Sequence, residues 1–133
     1  VYYRYFSPIK TMPHKKMQEY VAVDYRQTMS IVAILDDAGV EKILGEARYV
    51  RSQLDAFADT AFIVDEHYQG RGIATYLLNL LIKTAREEGI RGFKADVLEN
   101  NRAMLKVYEK APFPVQTVLS GGVYKITIPF QNP

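Results

Sequence analysis

The apolar pattern of this sequence changes at the stretch Gln69-Gly70-Arg71-Gly72-Ile73-Ala74. Before it, residues 57–64 form a short apolar run that is typical of a buried strand. After it, apolar residues recur at helical spacing and predict a helix over residues 71–88. A second strand-like run follows at residues 93–98. Because a strand, a helix and a strand in this order form a right-handed crossover, we expect the two strands to be parallel neighbours.

Hairpin signals lie on both sides of this central unit. Residues 29–50 contain two strand-like runs around a turn, and residues 115–130 contain two more around Ser120-Gly121-Gly122. Residues 102–110 return to the helical period, and residues 7–22 hold a polar, helix-like segment. The sequence therefore predicts one α/β domain that uses all 133 residues.

The composition excludes several classes of protein. The chain is long enough for one hydrophobic core, and its formal net charge of +2 is too small to predict nucleic-acid binding. The ten tyrosines fit half-buried strands better than a base-stacking surface. The absence of cysteine excludes disulfides, a thiolate zinc site and a cysteine nucleophile, and the two histidines have no metal-ligand spacing. With no apolar run near ~20 residues, we expect a cytoplasmic protein that is independent of membranes.

The glycines of the loop predict a ligand that carries phosphate. The first N–H groups of a helix lack internal partners, and the helix dipole places partial positive charge there. A side chain on Gly70 or Gly72 would keep a large anion away from these donors, and Ala74 is also small. Arg71 adds a formal charge at the rim. The alternative is that the glycines only form a tight turn between the strand and the helix.

The sequence of this loop does not match the other known phosphate-binding motifs. A dinucleotide fingerprint would need glycine where Thr75 stands, and a P-loop would need Gly-Lys-Ser/Thr, which occurs nowhere. The nucleophile motif Gly-x-Ser-x-Gly is also absent, so the sequence offers no covalent route. The loop alone therefore does not identify the ligand that carries the phosphate.

A second motif follows residues 93–98, where Asn101 stands seven residues before Tyr108. Taken with the loop, it resembles the GCN5-related N-acetyltransferase (GNAT) superfamily, whose members carry Gln/Arg-x-x-Gly-x-Gly/Ala and then an Asn seven residues before a Tyr. The resemblance covers residues 57–113 well. Pro112 replaces the usual glycine, which puts the shape of the acceptor site in doubt. The residues that match the two motifs are Gln69, Gly72 and Ala74 in the first, and Asn101, Tyr108, Glu109, Lys110 and Phe113 in the second.

The resemblance implies a fold. GNAT domains have a mixed, mostly antiparallel sheet flanked by helices and splayed at the parallel strand pair that holds acyl-CoA. Residues 1–6, 45–49 and 101–105 are similar to the GNAT domains fused to acyl-CoA synthetase-like or CoA-transferase-like enzymes, including protein lysine acetyltransferases of the Pat type. In that group a first strand precedes the stretch at residues 1–6. Its absence, with the absence of an initiator Met, favours a domain excised from a longer protein.

The resemblance also implies acetyl-CoA as the acyl donor and no metal. Backbone groups of Phe62, Ile63 and Val64 would pair with the pantetheine arm, and N–H groups of the loop would hold the pyrophosphate. Asn101 either contacts the coenzyme or caps its helix, and the two roles are compatible. The expected coenzyme-binding residues are Phe62, Ile63, Val64, Gln69, Gly70, Arg71, Gly72, Ile73, Ala74, Thr75, Asn101 and Tyr108.

Direct transfer to an amine needs a base for the amine proton and an acid for the departing thiolate. By resemblance, Tyr108 would be the acid, although its helix position alone would indicate a core tyrosine. Three carboxylates are candidates for the base. Asp59 aligns with a catalytic Glu of Pat-type enzymes and is our first choice, although it is one methylene shorter. Asp96 lies twelve residues before Tyr108, and Glu46 lies on the preceding strand; each alone fits a solvated strand residue.

Two functions therefore follow from the resemblance. The first is transfer of acetyl from acetyl-CoA to a primary amine, with a protein lysine as the expected acceptor. The second is a non-catalytic module that senses acyl-CoA and regulates a fused acyl-CoA synthetase or CoA-transferase domain. An unpaired last strand could support a homodimer. The identity of the acceptor has no recognisable code in the sequence.

Overall fold

A computed structural model describes residues 2–6, 26–52 and 55–131. The helix-like segment expected at residues 7–22 lies outside these ranges. Within them the chain forms seven strands, two α-helices and a short 3-10 helix. In chain order these are β1 (Tyr2–Phe6), β2 (Arg26–Asp37), β3 (Val40–Ser52), β4 (Phe57–Val64), the 3-10 helix (Glu66–Tyr68), α1 (Ile73–Glu87), β5 (Gly92–Leu98), α2 (Arg102–Glu109), β6 (Gln116–Ser120) and β7 (Val123–Pro129).

The strands form one mixed sheet in the order β1-β2-β3-β4-β5-β7-β6. Both expected hairpins are present, since β2 pairs with β3 and β6 pairs with β7 in antiparallel register. The crossover through α1 makes β4 and β5 parallel neighbours, and every other pairing is antiparallel. The mixed, mostly antiparallel sheet that the resemblance implied is therefore confirmed.

The two edges of the sheet differ from the expectation. Tyr2–Phe6 itself is the edge strand beside β2, so the described sheet begins with this stretch. At the other edge, the last strand β7 pairs with β5 on one side and with β6 on the other, so it is not the unpaired strand that could support a homodimer. The reason is burial, because β7 carries Ile126 and Ile128 in the core whereas every residue of β6 is exposed. The open edge therefore belongs to β6.

One face of the sheet carries both helices. The buried stripe of α1 packs on β2, β3, β4 and the start of β5, where Tyr49 and Phe93 are fully covered. Tyr108 of α2 packs beside it on the later part of β5 and on β7. Neither helix of the described ranges is long and apolar enough to cross a membrane. The stripe of α1 consists of Ile73, Leu77, Leu78, Leu81, Ile82 and Ala85.

The parallel strands separate after a short contact. They pair at Phe57–Gly92, Ala58–Phe93 and Asp59–Lys94. Beyond that point β4 continues along β3 as far as Val64, and β5 continues along β7. The sheet is therefore open between the second halves of β4 and β5, as the resemblance implied.

Candidate functional site

The opening between β4 and β5 continues into a cleft of about 590 Å³, a size common for small-molecule sites. Its walls come from the end of β4, the loop before α1, the first turn of α1 and one side of α2. The residues that line it are Phe62, Ile63, Val64, Tyr68, Gln69, Gly70, Gly72, Ile73, Ala74, Thr75, Asn101, Ala103, Met104, Lys106, Val107 and Lys110.

Most of the expected coenzyme-binding residues line this cleft, and two of them do not. Arg71 points its guanidinium over the ring of Tyr68, 5.2 Å from the ring centroid. Tyr108 lies in the core behind the cleft wall and is 1% exposed. The structure therefore brings ten of the twelve expected residues to one cavity, and these are Phe62, Ile63, Val64, Gln69, Gly70, Gly72, Ile73, Ala74, Thr75 and Asn101.

The sequence analysis missed the wall that α2 contributes. Ala103, Val107 and Lys110 follow one another at helical spacing and form one side of this helix. Lys106 lies next to that row and also lines the cleft. This side mixes small, apolar and charged residues, so its composition gave no signal. The spacing from the expected N-cap at Asn101 could have identified it.

The two loop glycines have backbone conformations that other residues rarely adopt. Gly70 has φ +78° and Gly72 has φ +80°, which is the left-handed region. A Cβ atom added at either position would meet nothing within 4 Å. Within the protein the need for glycine is therefore conformational, and the room that these glycines leave for an anion stays a prediction.

The N-terminus of α1 opens into the cleft. Gly72 is its N-cap, and among the described residues no side chain caps this end. The first turn, Ile73 to Thr75, lines the cleft and contains no acidic residue. Since uncapped N–H groups and the helix dipole both favour negative charge, this end of α1 is suited to bind a phosphate.

Hydrogen bonds hold the loop between β4 and α1. The Asp65 side chain accepts from the N–H of His67 at 2.9 Å and so begins the 3-10 helix. The Gln69 side-chain amide donates to the carbonyl of Val64 at 3.3 Å. These contacts tie the end of β4 to the residue that precedes Gly70. The N-terminus of α1 is therefore positioned relative to β4 by the loop itself.

Tyr108 belongs to a chain of hydrogen bonds at the point where the strands separate. The Tyr108 hydroxyl lies 2.8 Å from Oγ1 of Thr60. The Thr60 hydroxyl in turn donates to the carbonyl of Lys94 at 3.2 Å. The ring of Phe62 meets the Tyr108 ring edge-on, with 5.4 Å between centroids. Burial raises the pKa of Tyr108, while its hydrogen bond with Thr60 acts in the opposite direction. Tyr108 therefore keeps its proton at neutral pH.

The three carboxylates proposed as bases lie on the face of the sheet opposite to Tyr108. Asp59 follows Ala58 and precedes Thr60, so its side chain points away from the helices. By strand register, Asp96 on β5 and Glu46 on β3 share that face with Asp59. The described residues contain no group of three His, Cys, Asp or Glu that could hold a metal ion. No candidate base contacts the Tyr108 hydroxyl.

The neighbours of these carboxylates differ. Asp59 pairs with Lys94 across the parallel strands, and the Lys94 ammonium contacts Asp55 at 2.6 Å. The pKa of Lys94 is raised, first by its hydrogen bond with Asp55 and also by the charge of Asp59. Glu46 instead accepts a hydrogen bond from the buried hydroxyl of Ser30. Asp96 pairs with a lysine of β7.

Asn101 is the N-cap of α2. Its side-chain oxygen accepts from the N–H of Met104 at 3.2 Å, and its own N–H donates to the carbonyl of Leu98. The same residue lines the cleft. Asn101 is thus a helix cap with one side toward the cavity, and its contact with a ligand stays a prediction.

Comparison with known proteins agrees with this geometry. Residues 2–113 match the model of the acetyltransferase (GNAT) family. The acetyltransferase Pat of Mycolicibacterium smegmatis is 34% identical over 110 residues, which cover 81% of this chain and 32% of that relative. The chain thus spans about a third of the length of this curated relative.

Solved structures extend the likeness to the whole described sheet. The GNAT domain of S. lividans PAT is 28% identical, with a TM-score of 0.63, covering 90% of this chain and 70% of that one. A cAMP-binding acyltransferase from Mycobacterium smegmatis is 26% identical with a TM-score of 0.68, covering 98% of this chain and 44% of that one. The chain therefore belongs to the acetyltransferase (GNAT) family and is homologous to the GNAT domains of Pat acetyltransferases.

Proposed function

We propose that the chain transfers an acetyl group from acetyl-CoA directly to a primary amine, with a protein lysine as the acceptor. The observation that carries the proposal is the uncapped N-terminus of α1, which opens into a cleft that begins where β4 and β5 separate. A helix end of this kind binds the pyrophosphate of the coenzyme. Membership of the acetyltransferase family and the relative named acetyltransferase Pat support acetyl as the transferred group. The lysine acceptor rests on the resemblance to the Pat-type group alone.

The open stretch of β4 supports the binding of the pantetheine arm. From Phe62 to Val64 this strand is paired with β3 on one side only, and the cleft lies on its other side. An extended ligand can add to such an edge through its amide groups, as a further strand would. Because the same cleft continues to the N-terminus of α1, one molecule can reach both places.

The proposed reaction needs two proton transfers. The amine nitrogen attacks the thioester carbonyl carbon, so that a C–N bond forms and the C–S bond breaks. The amine loses one proton, and the departing sulfur gains one. Tyr108 is the proposed acid, since burial raises its pKa and keeps a proton on it. Asp59 is the first candidate for the base, because it stands at the last pair before the cleft, and Asp96 and Glu46 are the others.

One observation favours a second candidate function, the sensing of acyl-CoA without catalysis. The Tyr108 hydroxyl is bonded to Thr60 in the core, and Tyr108 does not line the cleft. In a sensor this hydroxyl would only stabilise the fold. The greater length of the Pat relative supports the related proposal that the domain acts beside a second domain in a longer protein.

Measuring turnover distinguishes the acetyltransferase from the sensor. The protein is incubated with acetyl-CoA and an acceptor panel of poly-L-lysine, mixed soluble proteins and spermidine, and thiol release is followed. Coenzyme A binding is measured by calorimetry. For Tyr108→Phe we expect turnover to fall by about 10²-fold or more, with the Kd of coenzyme A within about twofold, because the ring is kept. Tyr76→Phe, at a residue 52% exposed on α1, is the matched control.

Each outcome bears on the proposal. Thiol release with poly-L-lysine that is lost in Tyr108→Phe and kept in Tyr76→Phe supports it. Release with spermidine alone contradicts the lysine acceptor. Tight binding of coenzyme A without release for any acceptor favours the sensor, and a failure to bind coenzyme A contradicts both functions.

A further inference from the structure

We propose that Thr60 is a positioning residue for Tyr108: its hydroxyl holds the Tyr108 hydroxyl where β4 and β5 separate, and it stabilises that oxygen while its proton leaves. The inference rests on the proposed role of Tyr108 as the acid. It adds a second residue to that role, one that neither the loop motif nor the Asn101–Tyr108 motif contains.

The position of Thr60 in the sheet gives its hydroxyl two partners. Thr60 is the first residue of β4 after the last pair with β5, and Lys94 belongs to that last pair. Its Oγ1 lies 3.2 Å from the Lys94 carbonyl and 2.8 Å from the Tyr108 hydroxyl. The Thr60 side chain therefore contacts the backbone of β5 at the last residue that pairs with β4. Thr60 thus connects the point where β4 and β5 separate with Tyr108, the proposed acid.

The count of protons fixes the direction of these bonds. A threonine hydroxyl has one proton and two lone pairs, and a carbonyl only accepts. Since Thr60 gives its proton to the Lys94 carbonyl, it must accept the proton of Tyr108. The Tyr108 oxygen is thereby held in place beside Thr60 before reaction.

The Thr60 hydroxyl can also stabilise the ionised Tyr108 oxygen that remains after proton transfer. To give its proton to the coenzyme A sulfur, the Tyr108 O–H first turns from Thr60 toward the sulfur, and after the transfer the Tyr108 oxygen is an acceptor only. Rotation about the Cβ–Oγ1 bond of Thr60 turns the proton from the Lys94 carbonyl to this oxygen, and no heavy atom has to move. A hydrogen bond to an ionised oxygen is stronger than one between neutral groups.

Burial makes this contact important. Tyr108 is 1% exposed, and its ring is packed against Phe62, so water does not solvate a phenolate there. Burial raises the pKa of Tyr108, and a hydrogen bond that Thr60 donates to the ionised oxygen lowers it. Within the described residues, Thr60 is the hydrogen-bond partner of the Tyr108 hydroxyl. Loss of the Thr60 hydroxyl should therefore slow proton donation more than it weakens coenzyme binding.

Two substitutions at Thr60 separate the hydroxyl from the shape of the side chain. Thr60→Val keeps the shape and removes the hydroxyl, and Thr60→Ser keeps the hydroxyl. With acetyl-CoA and poly-L-lysine, we expect Thr60→Val to lower kcat by about 10- to 100-fold. The KM for acetyl-CoA should stay within about twofold, and Thr60→Ser should retain most of the kcat. The Tm of each variant shows whether the fold is intact.

A double-mutant cycle with Tyr108→Phe tests whether Thr60 acts through Tyr108. In the Tyr108→Phe background, Thr60→Val should cause little further loss of kcat. An equal loss in both backgrounds would overturn the inference and leave Thr60 as a contact of the sheet alone, and so would a Thr60→Ser variant as slow as Thr60→Val. If Thr60→Val has a normal kcat while that of Tyr108→Phe is low, Thr60 does not position Tyr108, but Tyr108 is still supported as the acid. If Tyr108→Phe turns over normally, the acid and this inference both fail.

Discussion

Asp59 of β4 and Lys94 of β5 form the last pair of the parallel strands, and the cleft opens beyond them. The carbonyl of Lys94 accepts from Thr60 on the helix side of the sheet, where Thr60 reaches Tyr108. The side chains of Asp59 and Lys94 lie on the other side, where the hydrogen bond with Asp55, and after it the charge of Asp59, raises the pKa of the Lys94 ammonium. One register position thus connects the proposed base, the cleft and the proposed acid.

Stability should fall at alkaline pH because of Tyr49. This tyrosine is buried, and burial raises its pKa from 10.0 to about 12, while the same group in the unfolded chain ionises near 10. Between these values the unfolded state binds fewer protons at this residue, so Tyr49 lowers the free energy of unfolding by about 2 to 3 kcal/mol as the pH rises. Tyr108, whose pKa burial also raises, adds a loss of its own. Urea unfolding from pH 9 to 12 measures this loss. Tyr49→Phe should reduce the slope and the exposed Tyr76→Phe should not; equal slopes in all three proteins would contradict the assignment.

Asn101 can be tested for its two roles separately. Asn101→Asp keeps a good N-cap for α2, so stability should change little, but it places a negative charge beside the cleft and should weaken coenzyme A binding by about 3- to 10-fold. Asn101→Ala should instead lose about 1 kcal/mol of stability. Asn100→Asp adds the same charge next to the helix at a residue that does not line the cleft. If Asn101→Asp binds coenzyme A like wild type, Asn101 is only a cap.

The fold followed from local patterns, but parts of the site depend on contacts between distant segments. The helical period after Gly72 and the two hairpins predicted α1 and its neighbours. Tyr108 and Thr60 are 48 residues apart, and no local pattern links them. The order of β6 and β7 was equally hidden, since both strands are apolar in sequence and only packing against β5 decides which is internal. The α2 wall was missed because the apolar stripe toward the core gave the stronger signal.

Lys106 and Lys110 should contribute to coenzyme affinity through charge. Lys106 lies in the last turn of α2 and Lys110 directly follows the helix; both are exposed, and both line the cleft. We expect the double change to Ala to weaken coenzyme A binding by about 3- to 30-fold, less so at high salt, because exposed charges are screened. Calorimetry at two salt concentrations measures this. Lys83→Ala combined with Lys125→Ala removes the same charge away from the cleft, and an equal loss there would show that only the net charge matters.

The base should be identified by the pH dependence of kcat/KM. A general base must be ionised, so the rate falls on the acid side of its pKa, and its removal flattens that limb. We expect Asp59→Asn to lower kcat/KM by about 10²-fold or more and to flatten the limb, because Asp59 belongs to the last pair before β4 and β5 separate. Asp96→Asn and Glu46→Gln should keep the limb, and Asp59→Glu, which adds one methylene, should retain activity. A flat limb in Asp96→Asn or Glu46→Gln instead would transfer the role to that carboxylate. An unchanged limb in all three would mean that no carboxylate of this face removes the amine proton, and that the acceptor must reach the cleft already deprotonated.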